Sequence, residues 1–179
     1  MSLPAFPKAR ADSGAIAASL STADVTLHAC DDSDMPFLRS LYRQTRDDEL
    51  AFTGWPEATK AAFANSQFDL QHTHFVRYFP NAHFLRLRCG DRDVGRYYLD
   101  ITDHAWHVVD IALLAERRGQ GIGSALLLAT RALAPAVTLS VATNNPAAMR
   151  LYARLGFVDE GEAGGMHRQM RASCRLPGR

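Results

Sequence analysis

The chain changes its apolar period several times, and each change marks an element. Val25-Thr26-Leu27-His28-Ala29-Cys30 alternates weakly, as a half-buried strand does. Asp31-Asp32-Ser33-Asp34 then offers helix N-caps, with Pro36 in the first turn. Phe37, Leu38, Leu41 and Tyr42 recur at helical spacing, which predicts a helix running to about Arg46. A second helix is predicted from Gly54-Trp55-Pro56, with Ala58, Ala61, Ala62, Phe63, Phe68, Leu70, Phe75 and Val76 along it and an end before Pro80. His83 to Cys89 alternates apolar and basic, Gly90-Asp91-Arg92-Asp93 turns, and Val94 to Ile101 returns, so an antiparallel hairpin is predicted. Trp106 to Leu114 reads as a third strand after the turn Thr102-Asp103-His104. A glycine-rich stretch at 118–124 opens a helix that Pro135 closes, and Val137 to Val141 is the next strand. Asn144-Asn145-Pro146 starts a short helix through Leu155, with Gly156 as its C-cap. Strands from Phe157-Val158 and over Met166–Met170 complete the order β-α-α-β-β-β-α-β-α-β-β. That order predicts an α/β (α+β) fold with a mixed, mostly antiparallel sheet of six to seven strands and helices on both faces, not a doubly wound sheet.

Composition narrows the function classes. The 179 residues suit one domain, and 47% hydrophobic with 22% charged residues is a globular composition. Twenty Lys and Arg against 19 Asp and Glu leave a formal charge of +1, which gives no reason to expect nucleic acid or an anionic membrane as partner. No apolar run approaches the ~20 residues that span a bilayer. Residues 1–22 hold Pro4, Pro7, Gly14 and several Ala and Ser, and read as a loose tail; the domain is expected over 23–172, with 173–179 a frayed end. Cys30, Cys89 and Cys174 lie far apart, which argues for inert thiols in a reducing cytoplasm rather than a disulfide framework or zinc site.

The stretch Arg118-Gly119-Gln120-Gly121-Ile122-Gly123-Ser124 carries the chemistry. A glycine-rich turn at a helix start presents amides without intrahelical partners, and the helix dipole favours an anion there. The glycine spacing does not fit a dinucleotide fingerprint, and no lysine is near to make a P-loop. A nucleotide-binding reading therefore fails. The pattern present is Arg/Gln-x-x-Gly-x-Gly/Ala, and it is followed by Asn145-Pro146-Ala147-Ala148-Met149-Arg150-Leu151-Tyr152-Ala153-Arg154-Leu155-Gly156-Phe157. Together the two segments resemble the GNAT superfamily of N-acetyltransferases, with the clear resemblance covering roughly residues 106–158.

That resemblance implies a GNAT fold and an acyl-CoA co-substrate, acetyl-CoA above all, with no metal. The amides of Arg118, Gly119, Gln120, Gly121, Ile122, Gly123 and Ser124 would cradle the pyrophosphate, with Arg117 or Arg118 adding charge. The strand over 109–113 would pair with the pantetheine arm, and an N–H between Ile111 and Leu113 would polarise the thioester carbonyl. Asn145 would bond the cofactor arm or cap its helix. Tyr152 stands where family members often protonate the departing thiolate; the alternative is an aromatic that only packs there. For the base, His107 and Asp110 on the strand stand beside His104, Glu49 and water. The implied reaction is acyl transfer to an amine by direct attack in a ternary complex. A catalytically silent acyl-CoA-binding module is the second reading. The partner is an amine-bearing acceptor, contacted by the first two helices, the 47–57 loop and the loop after Gly161; a homodimer is compatible with the family. Asp47, Asp48 and Glu49 either attract a cationic amine or form a solvated turn.

Other constellations fail. His72 and His74 do not share a helix face, no His-Glu-x-x-His occurs, and no serine sits in Gly-x-Ser-x-Gly.

Overall fold

The computed structural model describes residues 3–22 and 24–173. Its strands are β1 (Thr26–Ala29), β2 (His83–Cys89), β3 (Arg92–Ile101), β4 (Trp106–Leu113), β5 (Ala136–Ala142), β6 (Val158–Glu162) and β7 (His167–Ser173). Its helices are α1 (Ser13–Leu20), α2 (Met35–Ala51), α3 (Glu57–Tyr78), α4 (Ile122–Leu133) and α5 (Pro146–Arg154). The strands form one sheet in the order β1-β2-β3-β4-β5-β7-β6. Every neighbouring pair is antiparallel except β4 and β5. The mixed, mostly antiparallel architecture is the one expected from the order of elements.

Two apolar layers flank the sheet. On one face, Leu126 and Leu127 of α4 and Ala17 and Leu20 of α1 meet Leu85, Leu87, Tyr97, Leu99 and Val108; Met149, Tyr152 and Leu155 of α5 pack against this layer. On the other, Leu38 and Tyr42 of α2 and Phe68 and Phe75 of α3 cover Phe84 and Tyr98. Strand β3 lies between the layers, and Val94 to Leu99 are all buried, as a strand covered on both faces must be. The phenol of Tyr97 bonds Thr130 Oγ1 of α4 at 2.8 Å and so keeps its polar tip satisfied in the core.

Two expectations need correction. The loose tail over 1–22 is not what Leu3 to Thr22 form. Helix α1 buries Ala17 and Leu20, and Ser13 Oγ lies 2.9 Å from His83 Nδ1 of β2. Upstream of α1, Phe6 packs edge-on to His72 and Phe84 on the opposite face, and His72 Nε2 donates to the Pro4 carbonyl at 2.8 Å. Burial holds both histidines below the usual imidazole range, so these contacts carry no buried positive charge near pH 7. The acidic run 47–49 is also no turn. Helix α2 continues to Ala51 because Arg43 pairs with Asp47, Arg46 pairs with Glu49, and Leu50 is buried.

Cys30 is a buried free thiol whose pKa burial pushes up, and Cys89 is half-buried and free; Cys174 and the expected end beyond Ser173 lie outside the described residues. Among the described residues no helix is long and apolar enough to cross a membrane.

Candidate active site

The site begins where two strands part. β4 pairs with β5 only from Trp106 to Val108, opposite Val137 to Leu139. Beyond Val108, β4 keeps its pairing with β3 as far as Leu113, whereas β5 follows β7. The side of β4 that faced β5 is therefore an open backbone edge between Val109 and Leu113, inside the sheet rather than at its rim. Such an edge presents unpaired N–H and C=O groups that a ligand can take up in the place of a strand.

A bulge in β4 coincides with the parting. Tyr98 opposes Asp110 while Leu99 opposes Val108, so Val109 is the extra residue. Val108 and Ile111 pack into the α1/α4 layer, and Val109 into the α2/α3 layer. Asp110 follows Val109 to that second face, where Arg96 Nε donates to its Oδ2 at 2.7 Å.

The glycine loop closes the far end of this edge. Gly121 has φ +85° and N-caps α4. The first intrahelical bond runs from Ala125 N–H to the Gly121 carbonyl at 2.9 Å. The N–H groups of Ile122, Gly123 and Ser124 are thus the orphan donors of the helix start, and α4 is long enough to add its dipole. A Cβ on Gly119 or Gly121 would meet nothing within 4 Å, whereas one on Gly123 would rest at 3.6 Å from Ile111 Cδ1. The space in front of the loop is open where a phosphate would sit, and the residues present fit the pyrophosphate of an acyl-CoA. Gly121→Ala should therefore weaken acetyl-CoA binding by about tenfold or more: the left-handed backbone adds ~1–2 kcal/mol of strain and the methyl projects into the open space. Gly123→Ala should change it by less than about threefold, since its methyl meets only ordinary packing. Calorimetric titration of the two variants checks the contrast.

The polar side chains of the loop bond to the protein itself. Arg118 does not extend its guanidinium to a phosphate position: Nε donates to the Leu113 carbonyl at 3.0 Å and Nη2 to the Gln44 carbonyl at 3.4 Å. Leu113 therefore has its carbonyl occupied, and the edge open for pairing is shorter by that group. Gln44 of α2 also accepts from Ala115 N–H at 3.1 Å, which ties the loop to α2. Gln120 Nε2 donates to the Glu116 carbonyl at 2.6 Å. These bonds hold the loop in shape before any ligand arrives. Arg117 is half-exposed beside it.

Helix α5 forms the other wall. Asn145 is its N-cap, accepting from Ala148 N–H at 3.1 Å, so of the two roles open to it capping is the one seen. Arg131 of α4 donates to the Leu155 carbonyl at the other end of α5 and joins the two helices. Tyr152 is half-buried, its ring 5.9 Å from that of Phe157. Burial raises its phenol pKa, and the Asp110 charge adds to the shift, so the hydroxyl is protonated throughout the neutral range.

The remaining candidates are dispersed. His107 lies in the zipped part of β4, with Nδ1 2.9 Å from Thr138 Oγ1 and its ring stacked on Phe79 at 5.8 Å. Burial lowers its pKa, against an opposing pull from Asp100, so the ring is neutral near pH 7. His104 is exposed in its turn, and Glu49 is exposed and paired with Arg46. Sequence reasoning missed Gln44, Arg131, Arg96 and Gln71. Only Arg96 carried a signal, as the one charge within the apolar stretch Val94–Leu99.

Comparison with known proteins agrees with this geometry. Residues 80–159 match the model of the Acetyltransferase (GNAT) domain, a span from the end of α3 into β6 that includes the parted strands, the loop and α5. No curated protein sequence matches the chain significantly. Among solved structures, the PaiA N-acetyltransferase of Thermoplasma acidophilum, in complex with coenzyme A, is similar at TM-score 0.62 and 16% identity, over 83% of this chain and 98% of that one. An acetyltransferase of Thermus thermophilus is similar at TM-score 0.62 and 15% identity, over 84% and 97%. Spermidine N-acetyltransferase of Vibrio cholerae, in complex with CoA and spermine, is similar at TM-score 0.56 and 18% identity, over 85% and 96%. The chain has the GNAT fold, and residues 80–159 are similar in sequence to the GNAT acetyltransferase domain.

Proposed function

We propose that the protein transfers an acyl group, in the first instance acetyl, from acyl-CoA to a primary amine. The observation that carries the reading is the open backbone edge of β4 running into the unpartnered amides at the start of α4. The amides of Gly119 to Ser124 hold the pyrophosphate, and the free edge between Val109 and Ala112 pairs with the pantetheine amides. An N–H near Ile111 stabilises the oxygen on which charge develops when the amine attacks. The amine nitrogen bonds to the acyl carbon, the carbon–sulfur bond breaks, and Tyr152 gives its phenolic proton to the departing thiolate. A neutral His107 or the Asp110 carboxylate, directly or through water, takes the proton that the amine must lose. The Vibrio cholerae neighbour is a spermidine N-acetyltransferase, which supports an amine as acceptor. Free thiols at Cys30 and Cys89 suit a cytoplasmic setting.

Two measurements test the reading. Acetyl-CoA at a hundredfold excess over its Kd should stabilise the native state by ~2.7 kcal/mol and raise Tm by roughly 5–10 °C. Thiol release should then appear with at least one member of a broad primary-amine panel. An absent thermal shift removes acyl-CoA from the account. A normal shift with no thiol release identifies a binding module without catalysis.

A further inference from the structure

Arg96 is the most deeply buried charge near the site, 3% exposed, and neither the fold nor the transfer step above uses it. Its contacts are all fixed. Nε donates to Asp110 Oδ2 at 2.7 Å and Nη2 to Gln71 Oε1 of α3 at 2.6 Å. The guanidinium lies over the rings of Tyr98 and Phe75, at 5.2 and 6.0 Å from their centroids. Taking a guanidinium out of water is costly, and well-packed apolar residues often replace a buried ion pair without loss of stability. The pair at 96 and 110 is therefore poorly explained as a stabilising device.

Its position gives a better explanation. The bulge at Val109 turns Asp110 to the α2/α3 face at the point where β5 leaves β4. Asp110 keeps 20% of its side chain exposed there. Arg96 holds Oδ2, and among the described residues no group donates to Oδ1. The carboxylate thus has one oxygen clamped from behind and one left for a ligand. Gln71 braces the clamp from α3, so the aim of Asp110 is set by three elements packed together.

We propose that Asp110 anchors the acceptor's amine through Oδ1, and that Arg96, braced by Gln71, is the positioning residue that aims it. The inference rests on the acyltransferase reading. A planar guanidinium held at Nη2 by Gln71 fixes the direction of its Nε bond to Asp110, which a freely rotating lysine ammonium does not. The pair therefore governs how the amine is held, and leaves the CoA side of the site alone.

The test is a double-mutant cycle on the full chain, with an amine that the wild type turns over. Arg96→Lys should raise the amine KM about tenfold, and Gln71→Leu about threefold, with the acetyl-CoA KM unchanged within about twofold. Asp110→Asn should raise the amine KM at least as much as Arg96→Lys. Because Arg96 acts through Asp110, Arg96→Lys should add less than about twofold once Asp110→Asn is present. Additive effects, an unchanged amine KM in Arg96→Lys, or an equal rise in the acetyl-CoA KM would each overturn the proposal. If Arg96→Lys does not fold, Gln71→Leu with Asp110→Asn forms the same cycle under the same criteria. A wild type that binds acetyl-CoA and turns over no amine overturns the acyltransferase reading, and with it this inference. That outcome is distinct from an active wild type whose cycle is additive.

Discussion

Tyr152→Phe should lower kcat by about two to three orders of magnitude, the range of a lost general acid, and leave the acetyl-CoA thermal shift intact. The leaving group is a thiolate whose conjugate thiol titrates near ~8.5, and a phenol near ~10 is the weaker acid. In the proposed step Tyr152 would act through its position and protonation state rather than its acid strength. Burial raises its pKa, and the neighbouring Asp110 charge raises it further, so the proton is present at every pH where the chain is useful. The acidic form is lost only as pH rises through that elevated pKa. The alkaline limb of kcat should accordingly lie above the ordinary phenol range and disappear in the phenylalanine variant. Phenylalanine keeps the ring against Phe157, and stability should change by less than about 1 kcal/mol. A kcat within twofold of wild type would reduce Tyr152 to a packing residue.

The sequence was most legible where structure is local. The β2–β3 hairpin, the proline-bounded end of α3 and the strand–glycine–helix unit from β4 to α4 announce themselves through period and punctuation, because each is decided by residues a few positions apart. The proposed CoA half of the site belongs to this class, since the donors it would use are backbone amides presented by glycines. Helix α1 was not legible. Its sequence is nearly all Ser, Ala and Gly, and only Ala17 and Leu20 are buried apolar residues, so no apolar stripe marks it. Its place is set by distant partners such as His83, 70 residues from Ser13.

The proposed acceptor half is hidden for the same reason. Asp110 and Arg96 are 14 residues apart, Arg96 and Gln71 are 25 apart, and Gln44 meets Ala115 across 71. Such pairs exist only once β3, β4, α2 and α3 are packed, and no periodicity encodes them. The bulge at Val109 matters most here. Strict alternation would place Asp110 on the same face as Val108, toward the α1/α4 layer. One extra residue moves it to the other side and gives its charge a partner there. Arg118 fails in the opposite direction. Its motif position suggested a charge for the phosphates, yet its guanidinium closes the loop onto Leu113 and Gln44.

The second large effect lies beneath that same edge. Gly95→Ala should destabilise the protein by ~2–4 kcal/mol, as overpacking against backbone does, and lower Tm by roughly 5–12 °C. Gly95 pairs with Leu87 on one side and Leu113 on the other, in the middle of the buried run of β3. A Cβ there would collide with the Ala112 carbonyl oxygen and would meet Leu113 Cδ2 at 2.8 Å and Leu87 Cδ1 at 3.2 Å. A leucine rotamer can yield; the Ala112 carbonyl belongs to the β4 backbone and cannot move without shifting the strand. Leu114 N–H also donates to the Val94 carbonyl at 2.9 Å, so displacing β4 here strains the entry to the glycine loop. Gly95→Ala should thus lose acetyl-CoA affinity as well as stability, although residue 95 faces no ligand. Gly14→Ala is the matched control. Gly14 lies inside α1 with nothing within 4 Å of an added Cβ, so alanine there should be neutral or stabilise by up to ~1 kcal/mol. Thermal melts of the two variants, with and without acetyl-CoA, check both outcomes. Equal Tm values for Gly95→Ala and wild type would mean that β3 and β4 are not held as closely as their register requires.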